Sequence, residues 1–224
     1  MINRIGAVIF DFNGTLFNDT DFHNKAWTRF ATNYGKVFTS DELDMYIHGF
    51  TNREILEYIF QKPLEKDELN ILYEEKEELY RFICYNQPEK CILTNGAEDF
   101  LDFLFENKIP RIIATASYLP NVQMYFQMFA LERWFQPDQV IYDSGEFRGK
   151  PHPDIFLAAA LKIGIKIVNC MIIEDSKSGI QAAKDAHAGK IIAVDFEGNP
   201  EKFSQFSFID KTITDFRELK SFFV

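Results

Sequence analysis

Five side chains that suit phosphate chemistry sit at or beside short apolar runs of the sequence. Asp11 follows the first run, Thr115 ends the second, and Glu174 and Asp175 close a later one, while Lys150 precedes a helical segment. In an open α/β sheet such strand ends meet at one edge, which is where ligands bind. The sequence therefore predicts that two or three acids, a hydroxyl group and a lysine gather at one site.

Clustered carboxylates with oxygen-only neighbours favour Mg²⁺, a hard cation that prefers oxygen ligands. A bound cation would let an anionic phosphoryl group approach, with Asp11 as the nucleophile and an aspartyl-phosphate as the intermediate. Lys150 and the Thr115 hydroxyl are expected to hold the remaining phosphoryl oxygens. The backbone amides around Gly14 and Thr15 would add donors, as tight turns do for anions.

Each of these residues also has an ordinary structural explanation. An acid after a strand often caps the following helix, a Thr at a strand end is commonly structural, and a Lys before Pro is commonly solvated. A motif match needs its structural context before it carries function. The inference to chemistry therefore depends on the order of these residues and on their placement at strand ends.

The elements that must position these side chains alternate between strand and helix. Unbroken apolar runs are typical of strands buried on both faces. They occur at 7–10, 111–115, 140–142, 170–173 and 190–194, with a short edge strand expected at 208–210. Helical patterns lie at 97–107, 153–161 and 177–188, the last followed by Gly189 as its terminating residue. This alternation predicts an α/β fold with a mostly parallel sheet.

Residues 18–87 differ, because they contain no strand-like run. Their patterns are helical, at 21–34, 41–48, 53–60 and 66–84, with Ser40 as a helix cap. Lys76 interrupts the apolar stripe of the last of these helices. The segment is expected to form a helical bundle inserted into a core that comprises residues 1–17 and 88–224.

The composition limits the classes of partner. The 224 residues carry 24 basic and 34 acidic side chains, a net charge of −10 at pH 7, and such a surface repels nucleic acid and anionic lipid. Three cysteines without a Cys-x-x-Cys spacing and four scattered histidines argue against a disulfide framework and a zinc site. No apolar run reaches the length of a membrane helix. A cytoplasmic monomer that binds neither nucleic acid nor membrane is expected.

These motifs together resemble the haloacid dehalogenase superfamily, in the branch of phosphatases and β-phosphoglucomutase-like proteins with a helical cap. Asp11-Phe12-Asn13-Gly14-Thr15 resembles the first motif of that family, Thr115 the second, Lys150 the third and Glu174-Asp175-Ser176 the fourth. The resemblance covers nearly the whole chain and implies a Rossmann-like core with an inserted helical cap. A dinucleotide-binding enzyme, the alternative in this fold class, would need a Gly-x-Gly-x-x-Gly turn that the first strand lacks.

The resemblance implies a role for each motif residue. Asp11 would be the phosphoryl-accepting nucleophile and a Mg²⁺ ligand, and the backbone carbonyl of Asn13 would be a further ligand. Glu174 and Asp175 would complete the metal site. The residues expected to bind the phosphoryl group are Gly14, Thr15, Thr115, Ala116, Ser117 and Lys150. The expected activity is hydrolysis of a small phosphorylated metabolite, with a sugar phosphomutase as the alternative.

In the helical cap, His23, Arg53 and Lys76 resemble positions that meet the substrate. A solvated surface position is the other explanation for Arg53, and a packed side chain within its stripe is the other explanation for Lys76. Closure of the cap, about hinges at its two connections, is expected to exclude water from the phosphoryl group.

One residue departs from the family pattern. Members that hydrolyse or transfer phosphate usually have Asp at the position of Asn13, where it protonates the leaving group and then activates water. A positioned acid or base is worth about 10² to 10⁴ in rate, and an amide has neither an acidic proton nor a useful basic site.

Three interpretations of Asn13 are open. The protein is a phosphatase that is slower, or that takes a substrate with a good leaving group, with His23 as a substitute acid. It is a phosphate-ligand-binding protein without turnover. Alternatively, Asn13 is a substitution made to trap a complex. The Asn13-Gly14 pair also raises the hypothesis that deamidation generates the missing Asp.

Overall fold

The computed structural model describes residues 5–39, 42 and 52–223. The strands are β1 (Ala7–Phe10), β2 (Arg111–Ala114), β3 (Val140–Ile141), β4 (Cys170–Glu174), β5 (Lys190–Val194) and β6 (Lys211–Ile213). They form one parallel sheet of six strands in the order β3-β2-β1-β4-β5-β6. The predicted α/β class with a Rossmann-like parallel sheet is confirmed.

Helices lie between successive strands from β1 to β5, whereas β5 and β6 are joined by turns. The helices are α1 (Thr20–Asn33), α2 (Asn52–Phe60), α3 (Lys66–Tyr85), α4 (Ala97–Glu106), α5 (Leu119–Phe129), α6 (Asp154–Lys162) and α7 (Lys177–Asp185). Short 3-10 turns lie at Pro88–Lys90, Leu131–Arg133 and Ile167–Asn169, and a longer one lies at Phe216–Phe223. None of the helices in the described parts of the chain combines the length and apolarity that crossing a bilayer demands.

Both faces of the central strand are buried, which explains why β1 is apolar without alternation. Ala7 and Ile9 belong to the cluster that also holds the apolar residues of α6 and α7. Phe10 points to the opposite face, where its ring packs against Phe100 and Phe135. Every residue of β1 is fully buried as a result.

The strand order places a crevice at the middle of the sheet. The chain moves outward from β1 through β2 to β3, and then returns to β4 on the other side of β1 before it continues to β5 and β6. Connections therefore leave β1 and β4 in opposite directions. In open α/β sheets, ligands bind beyond the carboxyl ends of the strands at such a reversal.

The edge strand predicted at 208–210 is wrong by three residues, because β6 is Lys211–Ile213. Phe208 and Ile209 pack against the core as part of a loop. The Asp210 side chain accepts a hydrogen bond from the Ile191 backbone N–H at 2.8 Å. The Asp210 backbone N–H donates to the Ile191 carbonyl at 2.9 Å, and the paired register starts at the next residue, with Lys211 opposite Ile192.

Two helical expectations also need correction. Helix α7 ends at Asp185, and His187 rather than Gly189 adopts the left-handed conformation, with φ of 60°. Gly189 has another reason to be glycine, since a Cβ there would lie 2.2 Å from the Val168 carbonyl oxygen. Helix α5 carries no counterpart among the sequence predictions, although Pro120 in its first turn is a typical start.

The chain divides into two compact units, one of residues up to Asn18 and from Ile92 onward, the other Asp19–Cys91. The sequence placed these boundaries at 17/18 and 87/88. The second unit contains α1, α2 and α3 around its own apolar cluster, which includes Trp27, Phe30 and Leu56. The helix predicted at 41–48 and its cap Ser40 fall outside the described residues, apart from residue 42. All three cysteines are free and buried.

Candidate active site

A lysine bridges two carboxylates beyond the ends of the central strands. The Lys150 Nζ atom lies 2.5 Å from Asp11 Oδ1 and 2.7 Å from Glu174 Oε1. Asp11 continues β1, since its backbone N–H donates to the Ile173 carbonyl of β4 at 3.0 Å. Lys150 arrives from the loop before α6 and precedes a cis proline, Pro151. Three residues predicted from distant parts of the sequence therefore meet at the reversal point of the sheet.

Asp175 adds a third acid to this group. One carboxylate oxygen each from Asp11, Glu174 and Asp175 lie within 4.8 Å of one another. Asp11 and Glu174 are almost fully buried. A single buried lysine leaves such a cluster with excess negative charge, and its donor atoms are all oxygens, so the cluster fits a hard divalent cation.

Burial dominates the protonation of this cluster. It raises the pKa of Asp11 to about 7, and the adjacent Lys150 opposes this change without cancelling it. Burial, together with the charges of Glu174 and Asp11, raises the pKa of Asp175 well above its usual range. Burial lowers the pKa of Lys150, but the two carboxylates beside it outweigh this effect and the net change is upward. The lysine is therefore cationic, whereas Asp11 and Asp175 resist ionisation.

The turn after β1 is shaped around Asp175. Gly14 has φ of 74°, and a Cβ at this position would lie 2.2 Å from Asp175 Oδ2. The Thr15 hydroxyl donates to Asp175 Oδ1 at 3.1 Å. The backbone N–H groups of Gly14 and Thr15 donate within the turn, to the carbonyls of Phe17 and Phe12. These two amides, which the sequence suggested as phosphate donors, are engaged in the turn itself.

Helix α7 holds the other acid in place from its first turn. Glu174 Oε2 accepts hydrogen bonds from the Ser176 backbone N–H at 2.6 Å and from its hydroxyl at 2.9 Å. The same Ser176 Oγ atom accepts from the Gly179 N–H, which makes Ser176 the helix N-cap. A Cβ on Gly179 would lie 1.7 Å from Glu174 Oε1. The cap and the glycine together fix the Glu174 carboxylate.

The Asn13 side chain lies in a network of hydroxyl groups. Its Oδ1 accepts from Ser117 Oγ at 2.7 Å and from Thr115 Oγ1 at 3.3 Å, and its Nδ2 donates to the Tyr125 hydroxyl at 2.7 Å. The Tyr125 ring stacks on Phe12, with ring centroids 4.3 Å apart. Thr115 and Ser117 were predicted at this edge of the sheet. Tyr125 was not, because it lies on α5 and follows no strand.

The remaining predicted phosphate contact, Ala116, is exposed between the buried Thr115 and Ser117. A further cation near the site is Lys202, which the sequence did not indicate. Its charge acts to lower the pKa of Asp175, although the other influences outweigh it. The Lys202 Nζ atom lies 4.0 Å from Asp195, a buried carboxylate just after β5.

The three candidate residues of the helical unit are engaged with neighbours in that unit. Lys76 is almost fully buried, and its Nζ contacts Glu77 Oε1 at 2.6 Å and His23 Nδ1 at 2.8 Å. Arg53 is partly exposed and donates to Glu57 Oε1 at 2.9 Å and to the Leu64 carbonyl at 3.0 Å. Their roles toward a substrate stay predictions.

Comparison with known proteins gives the same family from the sequence. The model of the haloacid dehalogenase-like hydrolases matches residues 5–187. A phosphorylated carbohydrates phosphatase of Thermotoga maritima is 29% identical over 192 residues, which cover 84% of each chain. The β-phosphoglucomutase of Bacillus subtilis is 27% identical over 186 residues, which cover 80% of this chain and 79% of the relative.

Comparison of the fold agrees with this match. A crystal structure of a family IA, variant 3 hydrolase of the same superfamily, from Entamoeba histolytica, superposes with a TM-score of 0.91. The two chains are 35% identical, and the superposition covers 97% of each.

Proposed function

We propose that this chain, which belongs to the haloacid dehalogenase-like hydrolase family, is a Mg²⁺-dependent phosphatase of a small phosphorylated metabolite. One observation carries the proposal: Asp11, Lys150 and Glu174 are in direct contact beside Asp175, beyond the carboxyl ends of β1 and β4. Such a group offers a nucleophile, a fixed cation and a place for a metal ion at one point. The T. maritima relative, which is named a phosphatase of phosphorylated carbohydrates, supports phosphatase activity.

Asp11 is proposed as the nucleophile. A carboxylate oxygen attacks phosphorus, the bond from phosphorus to the ester oxygen breaks, and its electron pair leaves with that oxygen. Water then cleaves the aspartyl-phosphate and returns the carboxylate. Lys150, held 2.5 Å from Asp11, supplies positive charge where the phosphoryl oxygens must lie.

Asp11, Glu174 and Asp175 are proposed to hold Mg²⁺, with the Asn13 backbone carbonyl as a further ligand. The metal, when bound, supplies charge neutralisation for the phosphoryl oxygens. Two features of the chain support the fit. The ligand atoms are oxygens within 4.8 Å of one another, and burial makes the ionised acids costly unless a cation joins them.

A sugar phosphomutase is the second candidate, and the similarity to a β-phosphoglucomutase favours it. A mutase would return the phosphoryl group to the sugar instead of releasing it to water. That cycle needs proton transfer at both sugar oxygens, and Asn13 offers no group for it. The phosphatase is therefore the stronger candidate.

The test is a phosphate-release screen across sugar phosphates, nucleotides, pyrophosphate and an aryl phosphate, with Mg²⁺ or with a chelator. The parent protein is compared with Asp11→Asn and with Asp138→Asn, a matched change at a carboxylate that is 72% exposed. We expect release that requires Mg²⁺, that Asp11→Asn abolishes and that Asp138→Asn preserves.

Full release by Asp11→Asn would contradict the mechanism. Conversion of a sugar phosphate to its isomer without net release would establish the mutase. Saturable binding of phosphate ligands, without phosphate release from any of these compounds, would indicate a phosphate-ligand-binding protein without turnover.

A further inference from the structure

We propose that the substrate of this phosphatase is an activated phosphate, whose leaving group departs as a stable anion without being protonated, and that the phosphorylated form of Asp11 is long-lived. Acyl, enol and aryl phosphates and phosphoanhydrides form this class. The inference rests on the proposed function and narrows its substrate. It follows from the contacts of Asn13 and His23. Asn13 occupies the position of the usual catalytic acid, and His23 is the substitute acid that the sequence suggests.

The Asn13 side chain is hydrogen-bonded to hydroxyl groups on both its oxygen and its nitrogen. The Ser117 hydroxyl has one proton, and it goes to Asn13 Oδ1 at 2.7 Å. The Tyr125 hydroxyl accepts from Asn13 Nδ2 at 2.7 Å and lies 3.1 Å from Ser117 Oγ. Asn13 therefore shares its amide with the hydroxyl groups of Ser117 and Tyr125. An amide and two hydroxyl groups include neither a carboxylic acid nor an imidazole, the side chains that most often supply a proton in catalysis.

Both ring nitrogens of His23 contact charged side chains of the helical unit. The Lys76 ammonium only donates, so His23 Nδ1, at 2.8 Å, must accept. The proton of the ring is then on Nε2, which lies 3.2 Å from the buried carboxylate of Asp19. The ring also stacks on Tyr80, with centroids 4.1 Å apart. His23 is thus fixed by Lys76 and Asp19 and is poorly suited to replace the missing acid.

With no acid at Asn13 and with His23 held by its own partners, the first chemical step depends on the leaving group. When Asp11 attacks phosphorus, the ester oxygen must carry away the electron pair as an anion. A carboxylate, whose acid has a pKa of about 4, and a phenolate, at about 10, do this far more readily than an alkoxide, whose alcohol resembles water at about 16. Alkyl esters of sugars are therefore poor substrates for this site, and activated phosphates are good ones.

With no base at Asn13, the second step is slow for every substrate. The water oxygen must attack phosphorus and lose a proton while the bond to Asp11 breaks and its electron pair returns to the carboxylate. A positioned base accelerates such a step by about 10² to 10⁴, and Asn13 cannot accept the proton. The aspartyl-phosphate on Asp11 should therefore accumulate during turnover.

The experiment is a leaving-group series that runs from an acyl phosphate through substituted aryl phosphates to an alkyl phosphate, with Mg²⁺. It compares the parent protein with Asn13→Asp, whose carboxylate can accept from the same hydroxyl groups of Ser117, Thr115 and Tyr125. A His23→Gln variant tests the other source of protons. Thermal unfolding of all three establishes that they are folded.

For the parent we expect kcat/KM to fall steeply as the leaving group becomes more basic. Asn13→Asp should raise the rate for the alkyl phosphate by about 10² to 10⁴ and the rate for the acyl phosphate by less than about tenfold. His23→Gln should leave the slope of the series unchanged. Rapid quenching and mass spectrometry of the parent should show phosphorylated Asp11 at near-stoichiometric levels, and Asn13→Asp should show little.

Three results would overturn the inference. One is parent activity on the alkyl phosphate within tenfold of Asn13→Asp. Another is a selective loss of the poor leaving groups in His23→Gln. The third is active parent enzyme without accumulated phosphoenzyme. Failure of the proposed function looks different, because neither the parent nor Asn13→Asp would then release any leaving group.

Discussion

At the scale of single residues, the site contains carboxylates whose ionisation is unfavourable because they are buried. Asp11 and Glu174 share one buried lysine beside Asp175. Burial raises the pKa of Asp11 and of Asp175, so their ionised forms are costly. A ligand-binding site commonly carries such a cost, because the ligand relieves it. The free energy held in these carboxylates therefore predicts measurable effects of removing one of them.

Asp11→Asn should stabilise the metal-free protein at about pH 8. The pKa of Asp11 is about 7 in the folded state against an ordinary 3.8, so the folded state binds more protons between these values. Stability from this group is then present at low pH and is lost as the pH rises through about 7. Thermal unfolding in a chelator should show a higher Tm for Asp11→Asn at about pH 8, and the difference should shrink toward about pH 4.

Asp138→Asn is the control, since its carboxylate is mostly exposed. A difference between Asp11→Asn and the parent that does not change with pH would contradict this account.

Asn13 should resist deamidation in the folded protein. The reaction requires the Gly14 nitrogen to attack the Asn13 carboxamide, but the Gly14 N–H donates to the Phe17 carbonyl at 2.7 Å. The carboxamide is itself held by Ser117 and Tyr125. Peptide mapping of aged protein should find the amide intact, whereas protein kept in urea should gain Asp and iso-Asp there. Equal conversion in both samples would contradict this prediction and revive deamidation as a source of the missing acid.

At the scale of elements, the start of α7 matters more than its length. Ser176 caps the helix and binds Glu174 at the same time, so the helix and the acid are fixed by one side chain. Gly179 in the first turn leaves room for that carboxylate. The local sequence Glu-Asp-Ser-Lys-Ser-Gly thus serves both helix formation and the site.

Gly179→Ala should weaken Mg²⁺ binding at least tenfold. In an ordinary helix this change is stabilising by about 0.5 to 1 kcal/mol, but here the new Cβ would lie 1.7 Å from Glu174 Oε1 and must displace it. Isothermal calorimetry with Mg²⁺ checks the affinity. Gly149→Ala, which meets nothing within 4 Å, is the matched control, and unchanged Mg²⁺ affinity in Gly179→Ala would rule out the proposed role of Glu174.

At the scale of the whole molecule, each of the two units has its own apolar core, and the acids of the site all lie in the first unit. The sheet can therefore position Asp11, Lys150, Glu174 and Asp175 through its own packing. A metal that joins these acids links the ends of two strands of one unit, β1 and β4. Its binding should stabilise the fold of that unit.

Mg²⁺ should stabilise the protein against unfolding. A ligand that binds only the folded state, at about 100 times its Kd, adds about 2.7 kcal/mol to the free energy of unfolding. Asp175→Asn should lose most of this gain, and Asp138→Asn should keep it. Urea unfolding with and without Mg²⁺ measures the effect, and an equal gain in Asp175→Asn would place the bound metal elsewhere.

The sequence by itself determined the sheet and much of the site. Strands buried on both faces are continuously apolar, so β1, β2, β4 and β5 could be predicted from the sequence. Parallel strands bring their carboxyl ends to one edge, so Asp11 and the Glu174-Asp175 pair were placed there by strand position alone. The clustered carboxylates already suggested a metal and a nucleophile, and the family resemblance added a role for each motif residue.

Only the tertiary structure decided the partners of Asn13 and His23. Tyr125 reaches Asn13 from α5, a helix that no strand-end rule singles out, across 112 positions of the chain. Lys76 reaches His23 from another helix, 53 positions away. Short-range patterns fix which backbone forms, because propensity and periodicity act between near neighbours. Which hydroxyl, acid or ammonium meets a given side chain depends on packing between distant elements, and that packing settled the contacts of these two residues.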